Sequence, residues 1–114
     1  MLKINNQLTA ADLLVRLKTF WVLSENCLDS IEESCPPGTA SPVFTVQGQY
    51  TSQGWTEWTQ GFQVGSALVQ FDATGNERFL ELGRKKTVEV MATHLTHAGV
   101  HDHGFNNVST YGNL

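Results

Sequence analysis

Apolar side chains recur at helical spacing in three long stretches of this chain, and no other feature constrains its fold as strongly. The stretches run from Thr9 to Glu33, from Thr56 to Ala73 and from Glu77 to His97. Thr9 suits the N-cap of the first stretch, because a hydroxyl can accept from the free N–H groups of a first helical turn. The sequence therefore predicts an all-α fold with three main helices and without a substantial sheet.

The breaks between these stretches carry residues that end or start helices. All three prolines lie between Cys35 and Pro42, where we expect a long loop. The segment from Val43 to Tyr50 alternates weakly and predicts a short extended segment. Gly75 suits the end of the second helix, and Asn76 suits the start of the third. The expected order is therefore helix, long loop, helix, tight turn and helix.

Two glycines and two aromatic rings lie in or next to the predicted second helix. Gly61 and Gly65 are four residues apart, and each costs a helix about 1 kcal/mol relative to alanine. Two reasons for them stay open: close approach of another helix, or room for a ligand. Trp58 and Phe62 have the same spacing and therefore share one helix face. From the residues alone, an aromatic core pair is the simpler interpretation of these rings.

The size and charge of the chain exclude several classes of protein. Its 114 residues are enough for one small domain with one core. The net charge is −4 and there is no basic stripe, so nucleic acid is not an expected partner. No stretch is long and apolar enough to cross a membrane, so a membrane partner is not expected either.

Cysteine content and the first residues bear on the compartment. Cys27 and Cys35 are the only cysteines, and we expect two free thiols. The segment from Met1 to Leu8 lacks the apolar core of a signal peptide. If Met1 is the native start, the expected compartment is the cytoplasm. If a leader has been removed, the expected compartment is the periplasm.

The most chemically varied stretch runs from His101 to Asn107, and all four histidines lie within ten residues of one another. This mixture makes a weak helix, so we expect a loop that faces a cavity. Three interpretations compete: Asp102 is a proton-transfer acid, the histidines bind a metal, or the segment is a polar turn without chemistry. No Cys or Glu completes a known zinc spacing with the histidines. We therefore predict no metal and no other cofactor.

Several short motifs together resemble a known family. The run from Trp58 to Phe62 is followed by Gly65, by the run from Thr74 to Glu77, and by His101-Asp102-x-Gly104-Phe105. In this order and spacing they resemble the unsaturated glucuronyl hydrolases, glycoside hydrolase family 88. The resemblance covers residues 55–114, whereas the first fifty residues agree only in being a helix and a loop.

The resemblance implies an (α/α)6 barrel of inner and outer helices, the six-hairpin glycosidase type. It also implies an enzyme that hydrates the C4–C5 double bond of the unsaturated uronic acid that a lyase leaves at the non-reducing end of an oligosaccharide. Residues 1–114 would then form the N-terminal part of one catalytic domain. This part alone should be inactive, because the family's second aspartate and carboxylate-binding groups come later. Its uncovered helix faces would favour self-association.

Four residues match the family's site positions. Asp102 matches a catalytic aspartate, and His101, Trp58 and Phe62 match residues that line the sugar-binding cleft. His103 falls where members of the family vary, so it receives no role. Two alternatives remain open. One is another (α/α)6 carbohydrate enzyme, such as a rhamnogalacturonyl hydrolase or an epimerase-like protein. The other is a non-catalytic helical sugar-binding domain.

Overall fold

The computed structural model describes residues 3–4, 7–35 and 41–114, and this part of the chain is mostly helical. Most of the predicted proline-rich loop lies outside the described residues. The helices are α1 (Ala10–Ser34), α2 (Thr59–Thr74), α3 (Glu77–Val90) and α4 (His103–Ser109), with a 3-10 helix at Met91–Leu95 between α3 and α4. The strands are β1 (Pro42–Val46) and β2 (Gln49–Ser52). The all-α prediction therefore holds at the level of class, with one small hairpin added.

Three predicted helix boundaries are confirmed: the start of α1 at Thr9, the end of α2 at Gly75 and the start of α3 at Asn76. The Asp12 carboxylate accepts from both the backbone N–H and the hydroxyl of Thr9, at 2.8 and 2.7 Å. These two bonds hold the pKa of Asp12 below its usual value, and the bond from the Thr9 hydroxyl has the larger effect. Gly75 has the left-handed backbone that ends α2, and the Asn76 side chain accepts from the Arg78 N–H at the start of α3.

Other boundaries differ from the predictions. The second helix begins at Thr59 instead of Thr56, and the third ends at Val90 instead of His97. The extended segment is a two-stranded antiparallel hairpin, turned at Gln47 and Gly48 with positive φ angles of 52° and 77°. The largest difference from the prediction is α4: residues His103–Ser109 form a helix, whereas we expected a loop there.

The core lies where the C-terminal half of α1 meets α2 and α3. Leu28, Ala67 and Phe79 are buried together there, with Phe71 and Leu82 packed around them. Ion pairs join α1 to α3 at the edge of this core: Arg78 reaches Asp29 at 2.6 Å and Glu25 at 3.2 Å, and Lys86 pairs with Glu32. Such partly exposed pairs contribute little to stability, so the orientation of α1 rests mainly on the apolar contact.

The two glycines of α2 mark its contact with α4. A Cβ on Gly61 would overlap the backbone of Asn106, and a Cβ on Gly65 would overlap the carbonyl of Ser109. Of the two reasons left open by the sequence, close helix approach is therefore the one observed. Gly61 meets Asn106 and the later Gly65 meets the later Ser109, so residue numbers increase in the same direction along both helices. The helices α2 and α4 therefore run parallel. The helix α3 comes between them in the chain, and the short turn at Gly75–Asn76 brings it back along α2.

The N-terminal half of α1 leaves large apolar side chains in solvent, which leads to the first testable prediction. The exposed side chains include Leu13, Leu14, Val15, Leu17 and Phe20. Exposed apolar side chains crowded on one helix favour association, since water is released when two such surfaces meet. We expect the average mass measured by light scattering to rise with concentration, and Leu17→Glu to suppress the rise. A stable monomer at high concentration that binds no dye for apolar surfaces would contradict this expectation.

Candidate functional site

Three of the four histidines form one hydrogen-bonded group, which we call the histidine relay: His94, His103 and His97. The two Nδ1 atoms of His94 and His103 are 2.7 Å apart. On its other side, Nε2 of His103 is 2.7 Å from Nδ1 of His97. His94 and His103 are buried and His97 is exposed. The relay therefore runs from the interior to the surface through the first residue of α4.

Side chains from α2 and α4 hold the buried end of the relay. Gln60 Oε1 lies 2.6 Å from Nε2 of His94. The Asn106 side chain accepts from the backbone N–H of Gly61 at 2.6 Å, and its Nδ2 lies 3.2 Å from Nδ1 of His94. The Asn107 side chain donates to the carbonyl of His94 at 3.2 Å. The relay is thus fixed at the point where α2, α4 and the 3-10 helix meet.

Trp55 covers the relay from the segment before α2. Its ring is stacked on His103, with the ring centroids 5.8 Å apart and the planes 14° from parallel. It meets His94 and His97 edge-on, at 5.4 and 5.1 Å. An indole face in this position shields the rings from water and would also attract an imidazolium.

Burial changes the titration of the innermost ring. The pKa of His94 is lowered, first because burial disfavours its charged form and then because His103 and His97 would repel it if charged. A folded-state value below the unfolded one means that the unfolded chain binds protons more readily. Stability is therefore lost as the pH falls through the ordinary histidine range near 6.5.

The relay does not have the geometry of a metal site. His103 turns its two ring nitrogens toward different partners, so the three rings do not point at one centre. Among the residues that the structure describes, no group of three or more His, Cys, Asp or Glu is arranged to hold a metal ion.

Asp102 and His101 lie together at the start of α4. The Asp102 carboxylate is 3.1 Å from Nε2 of His101, and their side chains are 27% and 91% exposed. Asp102 has helical backbone angles and its carbonyl accepts from the N–H of Asn106. The carboxylate is therefore held at a helix start, beside an imidazole and within reach of solvent.

The predicted rings Trp58 and Phe62 form a surface cluster with Phe105, which we call the aromatic cluster. Trp58 and Phe62 meet edge-to-face at 5.4 Å, and Phe105 of α4 lies 6.3 Å from Phe62. The three side chains are 46%, 44% and 54% exposed. The simpler interpretation of an aromatic core pair is therefore wrong, because these side chains are exposed.

Asp102 and the aromatic cluster lie on the same side of α4. Residues three apart on a helix are neighbours, with about 5–6 Å between their Cβ atoms, and this spacing joins Asp102 to Phe105. Phe105 in turn contacts Phe62 on α2. We therefore expect the carboxylate of Asp102, with the exposed imidazole of His101, to lie near the aromatic cluster.

The sequence did not reveal the relay or its supports. It gave no role to Trp55, Gln60, His103 or Asn106, all of which meet at the relay. The only usable signal was the crowding of histidines between residues 94 and 103. Which of them pair depends on the helix α4, and that helix was not predicted.

The described part of the chain holds no helix that is both long enough and apolar enough to span a membrane. Its two cysteines, Cys27 and Cys35, are free thiols, as predicted. Comparison with protein-family models, with curated proteins and with solved structures finds no match.

Proposed function

We propose that this chain supplies the N-terminal helices and part of the active site of a carbohydrate-active hydrolase of the unsaturated uronyl hydrolase type. The observation that carries the proposal is the exposed aromatic cluster, which helical spacing places near Asp102. Clustered exposed rings are typical of a binding site, and an aromatic face packs well against the apolar face of a sugar ring. The neighbouring carboxyl group can transfer the proton that hydration requires.

The helix arrangement also supports the proposal. In an (α/α)6 barrel, inner helices run parallel and each is joined to the next through an antiparallel outer helix. The described chain is compatible with one such unit, because α2 and α4 run parallel in close contact and the intervening helix α3 packs against α2. In this scheme α2 and α4 are inner helices, and the aromatic cluster and Asp102 face the cleft.

Each residue then has a defined role. Asp102 exchanges the proton during addition of water to the C4–C5 double bond, after which the hydrated sugar rearranges and the glycosidic bond opens. His101 lies against the Asp102 carboxylate and, being exposed, also contacts the substrate. Trp58 and Phe62 bind the sugar ring. A second acid and the groups that bind the uronate carboxylate come from the remainder of the domain.

The test uses the complete protein and unsaturated disaccharides released by lyases from glycosaminoglycans and pectins. We expect the ultraviolet absorbance of the conjugated double bond to disappear with time. Trp58→Ala should mainly raise KM, because it removes a ring face that binds the sugar before and during the reaction. Tyr50→Ala is the matched control, since Tyr50 is an exposed aromatic residue of β2 that belongs to neither the aromatic cluster nor the relay.

Two outcomes would separate the alternatives. If the complete protein leaves every such double bond untouched but binds the disaccharides, with Trp58 fluorescence quenched, the chain belongs to a sugar-binding domain without catalysis. If it neither binds nor consumes them, the uronyl hydrolase proposal is wrong.

A further inference from the structure

The hydrogen bonds of the relay fix the position of every ring proton. Gln60 Oε1 can only accept, so Nε2 of His94 carries a hydrogen and Nδ1 of a neutral His94 must accept. The nearby Nδ2 of Asn106 agrees with this, because it is also a donor. His103 therefore donates from Nδ1 to His94, and its Nε2 accepts from Nδ1 of His97. The neutral relay has one free acceptor, Nε2 of His97.

We propose that the histidine relay is a pH-sensitive lock on α4, which accepts one added proton without rearrangement and opens when it takes a second. The first proton binds at the free Nε2 of His97. It disturbs none of the three links of the relay, which are the hydrogen bonds Gln60–His94, His94–His103 and His103–His97. A second proton must enter a link that already holds one hydrogen, so two N–H groups would face each other at 2.7 Å. That link must break, and it joins His103 of α4 to the 3-10 helix region.

No acid among the described contacts compensates the added charge. The neighbouring elements present Gln60 from α2, Asn106 and Asn107 from α4, and Trp55 from the segment before α2. Glu57 offers only its backbone carbonyl to Asn106, and the Asp102 carboxylate pairs with His101. Two imidazolium rings in this setting repel each other without a nearby counter-charge.

Opening the lock would act on the surface that carries Asp102. His103 directly follows Asp102 in the chain, and Phe105 lies on the next turn of the same short helix. A helix of seven residues is not stable alone in water, so α4 depends on its packing and on the relay. Acid should therefore loosen Asp102 and Phe105 together. The tests below need no substrate, so their outcome is independent of the proposed function.

The first test is nitrogen-detected NMR of the ring tautomers in the wild-type chain at pH 8. We expect His94 to carry its hydrogen on Nε2, whereas His103 and His97 carry theirs on Nδ1. The Nδ1 form is the less common one for a free histidine, so its presence on two rings is diagnostic. Finding His103 in the Nε2–H form would overturn the assignment of the relay.

The second test lowers the pH while following both the rings and the backbone amides. We expect the first proton on His97 while the Asn106 amide, which donates to Asp102, stays protected from exchange. Protonation of His94 or His103 should coincide with loss of that protection. If all three rings become charged while the amide stays protected, the relay is not a lock.

The third test counts protons through the pH dependence of urea unfolding below pH 6.5. The unfolded chain can charge all three relay histidines and the folded chain only one, so unfolding should take up about two protons at these sites. In His97→Ala the relay consists of His94 and His103 only. The folded variant still accepts one proton there and the unfolded variant accepts two, so the proton uptake on unfolding should fall to about one. Equal uptake in the two proteins would contradict the proposal.

Discussion

Replacing Asp102 with asparagine in the complete protein is expected to lower the rate of unsaturated uronic acid consumption roughly 10²–10⁴-fold, the usual contribution of general acid–base catalysis. Asparagine has nearly the size of aspartate and can still accept a hydrogen bond from His101, but it cannot give or take the proton. The loss should therefore appear in kcat, with a smaller change in KM. The measurement is the decay of double-bond absorbance at saturating substrate.

The control for this variant is Asp72→Asn, which removes the same charge from an exposed position near the end of α2. It should react at the wild-type rate. Amide spectra of the Asp102→Asn chain should match the wild type, because the helix start uses the backbone carbonyl of residue 102 and not its side chain. A variant with a wild-type spectrum and a wild-type rate would remove Asp102 from the mechanism.

The parts of the fold that could be predicted are those set by local sequence. The capping pair Thr9 and Asp12 and the turn at Gly75–Asn76 each satisfy backbone groups within a few residues, so the sequence carries the whole signal. The long helices follow from the helical spacing of apolar residues, although in α1 most of those residues are exposed. The start of α2 was missed because both Thr56 and Thr59 suit an N-cap, and the end of α3 was missed because no glycine or proline directly follows Val90.

The helix α4 could not be predicted because its stability comes from distant residues. Its sequence includes His103, Gly104 and two asparagines, which are weak helix formers. It forms where Asn106 bonds to Gly61 and where His103 is held by His94 and His97. Those contacts span up to 45 residues of chain, and no local pattern encodes them.

The candidate site also has a part that could be predicted from local sequence and a part that could not. The motif resemblance selected Trp58 and Phe62, which the fold joins to Phe105, and Asp102, which lies three residues before Phe105 at the start of α4. It could not find the relay, because Gln60, Trp55 and the three histidines become neighbours only when α2 and α4 pack together. The exposure of Trp58 and Phe62 was also missed, since helical spacing shows that two rings share a face but not what covers it.

Gly61→Ala and Gly65→Ala should each destabilise the fold, although alanine favours an isolated helix by about 1 kcal/mol. The new methyl group would overlap backbone atoms of α4, namely Asn106 at Gly61 and the Ser109 carbonyl at Gly65. Backbone cannot rotate away as a side chain can, so the helices must separate. Overpacking of this kind costs about 1–3 kcal/mol. We expect a lower urea midpoint for both variants, measured by circular dichroism.

Gly104→Ala is the matched control, because it lies in α4 itself and a Cβ there meets no atom within 4 Å. This variant should be neutral or more stable by up to about 1 kcal/mol, since only helix propensity changes. Comparing Gly104→Ala with Gly61→Ala and Gly65→Ala separates the effect of close helix contact on stability from the general effect of replacing glycine with alanine. Separation of α2 from α4 should also break the bond from the Gly61 N–H to Asn106 and leave the relay without its inner support. If Gly65→Ala and Gly104→Ala shift the midpoint equally, the close parallel contact between α2 and α4 does not exist in solution.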